Sequence, residues 1–408
     1  MRYLTLSLLC LLPLAIACTS EMSGQAAGVV SENTPVFQPK ALLSLLVKDS
    51  SLYDHFEIGP SGIAMYASAE DKRNRQVEAF IYAEEYEGFA NLFSQLSLDS
   101  VVAIYKQKGM GRLPARLHFP TPNAFSPPPG TEKPLTGLRV ALDPGHFAGD
   151  MEIAELEGKY MKMRASPRTG GQEVAFNEAN LSLATAYLIR DQLRALGATV
   201  LLSRSQPGKG VRDITYPEWR EREAYQTLLA EMAAGRIDSS KRDWWQRKAD
   251  EKAWCKNVFN AVDLRLRAEK INAFQPHLTL IIHYNIDSPN WELRDKEGFF
   301  TPTNTNYLMA FTPGSFMKGE LEDAESRVAF LRQLLTRDVE SSVRLSEAFV
   351  RQSVLHTGVP IISEPNDLPY LSRGFSRGGR PGCDRPHPPP PPPHRRAGLL
   401  RREPLSGQ

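Results

Sequence analysis

Leu138-Arg139-Val140-Ala141-Leu142-Asp143-Pro144-Gly145-His146 is the stretch on which the fold turns. A short apolar run with β-branched content ends in Asp-Pro-Gly, so a strand stops in a turn that presents a histidine. Further on, apolar residues recur at Leu181, Ala184, Leu188, Leu193 and Leu196, and Gly197 follows. That spacing predicts a helix over Asn177–Leu196. Thr199–Leu202 then reads as a strand, completing a β–α–β unit. Asp263–Phe274 predicts a second helix, and Leu278–His283 a second buried strand that again ends in a histidine. In a parallel α/β sheet the carboxyl ends of the strands share one edge, where ligands bind. His146 and His283 fall at that edge, and Glu178, in the first turn of the long helix, falls close to it. Two imidazoles and one carboxylate form a common catalytic zinc set. Taken singly, each residue has a plainer reading: a structural strand-end histidine, or a first-turn glutamate that complements the helix dipole. Glu173, five residues before Glu178, is a rival ligand.

Composition bounds the rest. The 408 residues include 41% hydrophobic and 24% charged side chains, with a net charge of +2. This globular balance excludes a wholly disordered chain and a strongly basic nucleic-acid binder. No apolar run reaches the roughly 18 residues of a membrane-spanning helix. The four cysteines, Cys10, Cys18, Cys255 and Cys383, form no CxxC pair, so neither a thiolate zinc knuckle nor a disulfide framework is indicated.

Six prolines in Pro120–Pro134 mark a stiff linker over 120–137. Ahead of it, 36–119 reads as a small α+β module of unknown role. Helices are predicted over Leu42–Val47 and Glu84–Leu96, and strands over Ile63–Ala67, Gln76–Tyr82 and Val101–Lys106. His55 and His118 have no partners at ligand spacing and read as surface or packing residues. Ser205–Val262 is charged and helix-prone and carries Trp219, Trp244, Trp245 and Trp254. It reads as a helical insertion whose tryptophans form either its own core or a lid or docking face. Glu320–His356 predicts one long helix or two. The site-bearing domain is thus expected over 138–379, with the insertion at 205–262.

The tail, Arg380–Gln408, holds nine of the 31 prolines and six Arg against one Asp and one Glu. Its +4 leaves residues 1–379 at −2. Without periodicity, it reads either as a polyproline ligand segment or as GC-rich coding sequence translated out of frame. Arg401–Gln408 can be back-translated so that dropping one base gives Gly-Glu-Ser-Leu-Tyr-Gln-Asp, an ordinary globular stretch.

The N-terminus is an address. Arg2 precedes an apolar stretch over Leu4–Ala17, which ends Leu14-Ala15-Ile16-Ala17-Cys18. This resembles a bacterial lipoprotein signal, with 1–17 removed and Cys18 lipidated; the plainer alternative is an ordinary secretory signal. The resemblance implies a lipid-anchored envelope protein. Thr19, where an Asp would signal inner-membrane retention, points to the periplasmic face of the outer membrane. Residues 18–35 read as a flexible tether.

Asp143-Pro144-Gly145-His146 resembles the first motif of the zinc-dependent N-acetylmuramoyl-L-alanine amidases of the cell-separation and sporulation type. Glu178 to Ala184 resembles the start of that family's ligand-bearing helix. Gly197-Ala-Thr-Val-Leu-Leu-Ser-Arg204 resembles its following strand. Arg267, Asn272 and His283-Tyr284-Asn285 resemble its later helix and histidine strand. The resemblance covers about Leu138 to His356 and implies α/β architecture, a mostly parallel sheet flanked by helices. It also implies Zn2+ held by His146, Glu178 and His283, with Asn285 orienting the site by hydrogen bonds. The implied reaction hydrolyses the amide between N-acetylmuramic acid and L-alanine in peptidoglycan. In some relatives a partner protein relieves a blocking helix at the position of the insertion. Asp143 either orients a ligand or caps the turn. The family's late-strand general base has no clean counterpart, and Glu364 is the nearest match; if the tail is translated out of frame, the chain lacks that base, and zinc binding survives while turnover fails. A zinc peptidase or other amidohydrolase on the same scaffold, and a non-catalytic peptidoglycan-binding lipoprotein, are the competing expectations.

Overall fold

The computed structural model describes residues 39–361, except 109, 122–124, 285–293, 302–305, 314–315 and 337, together with 397–399. The expected signal, Cys18 and the expected tether lie outside the described residues, as do Asn285, Glu364 and all of the tail but 397–399. The chain divides into two units, one built on Phe125–Asn306 and the other joining residues on either side of it.

In the flanking unit an antiparallel sheet of β1 (Phe56–Gly59), β2 (Gly62–Met65) and β3 (Ala79–Tyr82) precedes the helices Tyr86–Gln95 and Leu98–Lys108. Val101–Lys106, expected as a strand, is part of the second helix. Ser97 Oγ accepts from the Ser100 N–H, and Val101 and Tyr105, one helical turn apart, are both buried. Packing on one helical face overrides the β-branched preference. His55 and His118 each meet a backbone carbonyl, of Tyr66 and Leu113 respectively. The region Glu320–His356 is two helices, Ala324–Leu335 and Asp338–Thr357. It does not belong with the site-bearing domain, as the expected 138–379 boundary had it. Val328, Phe330, Leu331 and Leu334 share one core with Leu52, Ile63, Phe89 and Phe93. Arg327 meets both carboxylate oxygens of Glu78, at 2.6 and 2.7 Å. Ala397–Leu399 pairs antiparallel with Phe311–Pro313.

The other unit centres on β4 (Arg139–Pro144). After the antiparallel ribbon of β5 (Tyr160–Met163) and β6 (Val174–Asn177), the chain forms the helix Glu178–Ala195 and then β7 (Thr199–Leu202). The insertion follows, then the helix Asn260–Phe274 and β8 (Leu278–Ile282). β4 lies between β7 and β8 and is parallel to both, with Val140 opposite Val200 and Leu142 opposite Leu280. Side chains alternate across a strand. Val140, Leu142 and Val200 therefore face Ala186, Ile189 and Leu193 of the first helix. On the opposite face Arg267, from the second helix, meets Asp143. The unit is thus α/β with a parallel sheet flanked by helices. Gly197 takes φ +103°, where an added Cβ would lie 2.8 Å from Lys133 Cβ; this backbone sets the helix stop. β8 is less buried than its apolar sequence suggests. Leu278, Leu280 and Ile282 meet the core, but Ile281 is 63% exposed, because β8 is the edge of the sheet among the described strands.

The insertion folds around its tryptophans. Trp219, Trp245 and Trp254 are buried with Phe259, while Trp244 is exposed. Most of the tryptophan stripe is therefore core. Phe147, next to His146, belongs to the same cluster and stacks edge-on against Phe259 at 4.7 Å.

Candidate metal centre

His146 follows the end of β4 in a left-handed backbone conformation, φ +62°. A non-glycine residue there costs energy unless its surroundings impose it. Two buried arginines supply the constraint. The Arg204 guanidinium donates to the carbonyls of Pro144, Gly145 and Ala179, at 3.0, 2.9 and 2.7 Å. Arg267 donates to the carbonyls of Pro144 and His146, each at 2.8 Å, and pairs with Asp263 at 2.7 Å. Gly145 has a separate requirement. A Cβ there would sit 2.4 Å from the His283 ring, so no larger residue lets the two ligand-bearing segments approach.

Glu178 opens its helix, where Asn177 caps the Asn180 N–H at 2.8 Å. Its carboxylate lies between the two imidazoles. Glu178 Oε1 is 2.9 Å from His283 Nδ1 and accepts from the Tyr284 N–H at 3.0 Å, while Oε2 is 3.1 Å from His146 Nε2. One ligand atom from each of His146, Glu178 and His283 lies within 4.8 Å of the others, a group that could hold a metal ion. All three expected ligands are thus brought together. Glu173, the rival, is exposed in the loop before β6 and is not part of the group.

The donor chemistry suits a cation. His146 is mostly buried, and its Nε2 has no aligned hydrogen-bond partner despite the nearby carboxylate, although buried polar atoms normally have one. Its Nδ1 lies 3.1 Å from Glu157 Oε1, and Glu157 Oε2 accepts from the Ala148 N–H. With Glu157 as acceptor, Nδ1 carries the proton and Nε2 offers its lone pair to the cluster. Burial pulls the His146 imidazolium down, but Glu157 and Glu178 outweigh it and raise it above the ordinary histidine value. Burial likewise raises Glu178, yet His146, His283 and Lys159 prevail and hold its carboxyl far below the usual range. Glu178 is therefore ionised, as a ligand must be. Lys159 Nζ stands 3.8 Å from Glu178 Oε2, and the His283 side chain is 46% exposed, so the cluster opens to solvent on that side.

Asp143 orients no ligand directly. It accepts from Ser203 Oγ and from Arg267 at 3.2 Å. The carboxylate against the His146 ring is Glu157, which the sequence reading missed. Its helix, Met151–Glu157, was legible from the Asp150 cap and the Gly158 stop. Its contact with His146 was not, because the intervening turn sets that geometry.

No family model, curated protein or solved structure matches this chain.

Proposed function

We propose that residues 125–306 form a zinc site serving hydrolysis of the N-acetylmuramoyl-L-alanine amide of peptidoglycan, in a lipid-anchored protein of the bacterial cell envelope. The observation that carries the proposal is the meeting of His146, Glu178 and His283 within 4.8 Å, from three elements far apart in sequence. When bound there, zinc would supply Lewis acidity toward the amide carbonyl and lower the pKa of a water. His146, Glu178 and His283 would hold it. Glu157 fixes the tautomer and orientation of His146. Lys159 sets a positive charge beside the cluster, suited to an anionic portion of the substrate. The half-exposed side at His283 leaves room for a polymeric substrate. Docking of an activator on the insertion is part of the same proposal.

The test incubates zinc-loaded protein with muropeptides and reads the products by mass spectrometry. Release of stem peptides with a free L-alanine amino terminus is the expected product. Cleavage inside the stem would replace the amidase reading with a peptidase. No release at all would remove the hydrolytic role from this chain. Zinc content of wild type against His146→Ala reports on the metal site separately; equal content would overturn that site.

A further inference from the structure

We infer that Arg204 is a positioning residue for the metal centre, and that it sets the distance between the two ligand-bearing segments. The inference rests on the metal reading of the site, not on the amidase reading. Arg204 is 1% exposed and projects from just beyond β7. Its Nη2 meets the carbonyls of Gly145 and Ala179 at 2.9 and 2.7 Å, and Nε meets Pro144 at 3.0 Å. Gly145 adjoins His146, and Ala179 adjoins Glu178. One rigid guanidinium plane therefore ties the strand turn that aims one ligand to the helix start that aims another. Ser182 joins the same knot, its Oγ donating to the Gly145 carbonyl at 2.8 Å.

The partners of Arg204 make a purely electrostatic explanation weak. Its hydrogen bonds go to backbone carbonyls and Ser182 Oγ, and no carboxylate is in salt-bridge contact with it among the described residues. Arg267, by contrast, is paired with both Asp143 and Asp263. A buried cation without a direct counter-ion is a costly way to fill space. It is an effective way to hold several converging carbonyls in a fork of fixed geometry. Lysine has the charge but one compact head, so it cannot reproduce the three-carbonyl bridge.

The experiment uses the full chain and the metal alone. Zinc affinity is measured by chelator competition, and the Co2+ absorption spectrum reports ligand geometry, for wild type, Arg204→Lys and Ser182→Ala. Arg204→Lys should bind zinc at least about tenfold more weakly and show an altered Co2+ spectrum. Ser182→Ala should shift both in the same direction by less, with its metal-free unfolding midpoint close to wild type. A folded Arg204→Lys with wild-type affinity and spectrum overturns the inference. Should Arg204→Lys fail to fold, Ser182→Ala decides: weakened binding supports the inference, and unchanged binding overturns it. Failure of wild type itself to bind zinc would sink the metal reading, a result distinct from any of these.

Discussion

At the residue scale the site is a set of four side chains, one of them outside the expected ligands. Glu157 is 5% exposed and touches His146 on the face away from Glu178. Carboxylates in this position typically change metal affinity by about 10- to 100-fold. Glu157→Gln keeps the volume but removes the charge that favours a proton on Nδ1. Its zinc dissociation constant, measured by chelator competition, should rise within that range while the fold persists; an unchanged constant would reduce Glu157 to a cap on the Ala148 N–H. Glycine at position 145 was visible as a turn residue. That it is required by the His283 ring, at 2.4 Å from a virtual Cβ, was not.

At the element scale the insertion is held by aromatic packing and by a buried carboxylate, Glu231, paired with partly exposed arginines. Trp219 is fully buried and lies 5.1 Å from Phe259 and 6.3 Å from Trp254, centroid to centroid. Trp219→Ala should lower stability by about 3–5 kcal/mol, as large-to-small core changes do; urea unfolding measures it. Glu231 offers a pH test. Burial raises its carboxyl, but Arg236 at 2.6 Å and Arg265 at 3.1 Å outweigh that and hold it below the usual range. A depressed folded value means stability that is present above the unfolded carboxylate pKa and lost as pH falls through the folded one. Unfolding midpoints of wild type should therefore drop on acidification below about pH 4.5. Glu231→Gln should show a shallower acid limb. Equal acid slopes for the two proteins would remove the pair from the account.

At the scale of the whole molecule the chain makes one core from residues on both sides of the site-bearing unit. Phe330 is fully buried against Phe56 and Phe316, at 4.8 and 5.4 Å. Phe330→Ala should cost about 3–5 kcal/mol in stability while zinc affinity stays at the wild-type value. A variant that lost zinc binding without losing stability would place this helix with the metal unit instead.

Much was determined by the sequence alone. The strand Leu138–Leu142, the helix over Asn177–Leu196 with its Gly197 stop, and the strand Thr199–Leu202 are read from local rules, because period and turns are short-range. The ligand trio was legible for a related reason: in a parallel sheet, strand ends fall at one edge whatever the rest of the chain does. Only tertiary structure decided which helices complete which core, the helical state of Val101–Lys106, the exposed face of β8, and the partners Glu157, Arg204 and Arg267. Each of these depends on contacts between residues distant in sequence, and the residue types alone permit several such contacts. An arginine after a strand looks the same in sequence whether it reaches solvent or, like Arg204, turns inward to gather the carbonyls next to His146 and Glu178.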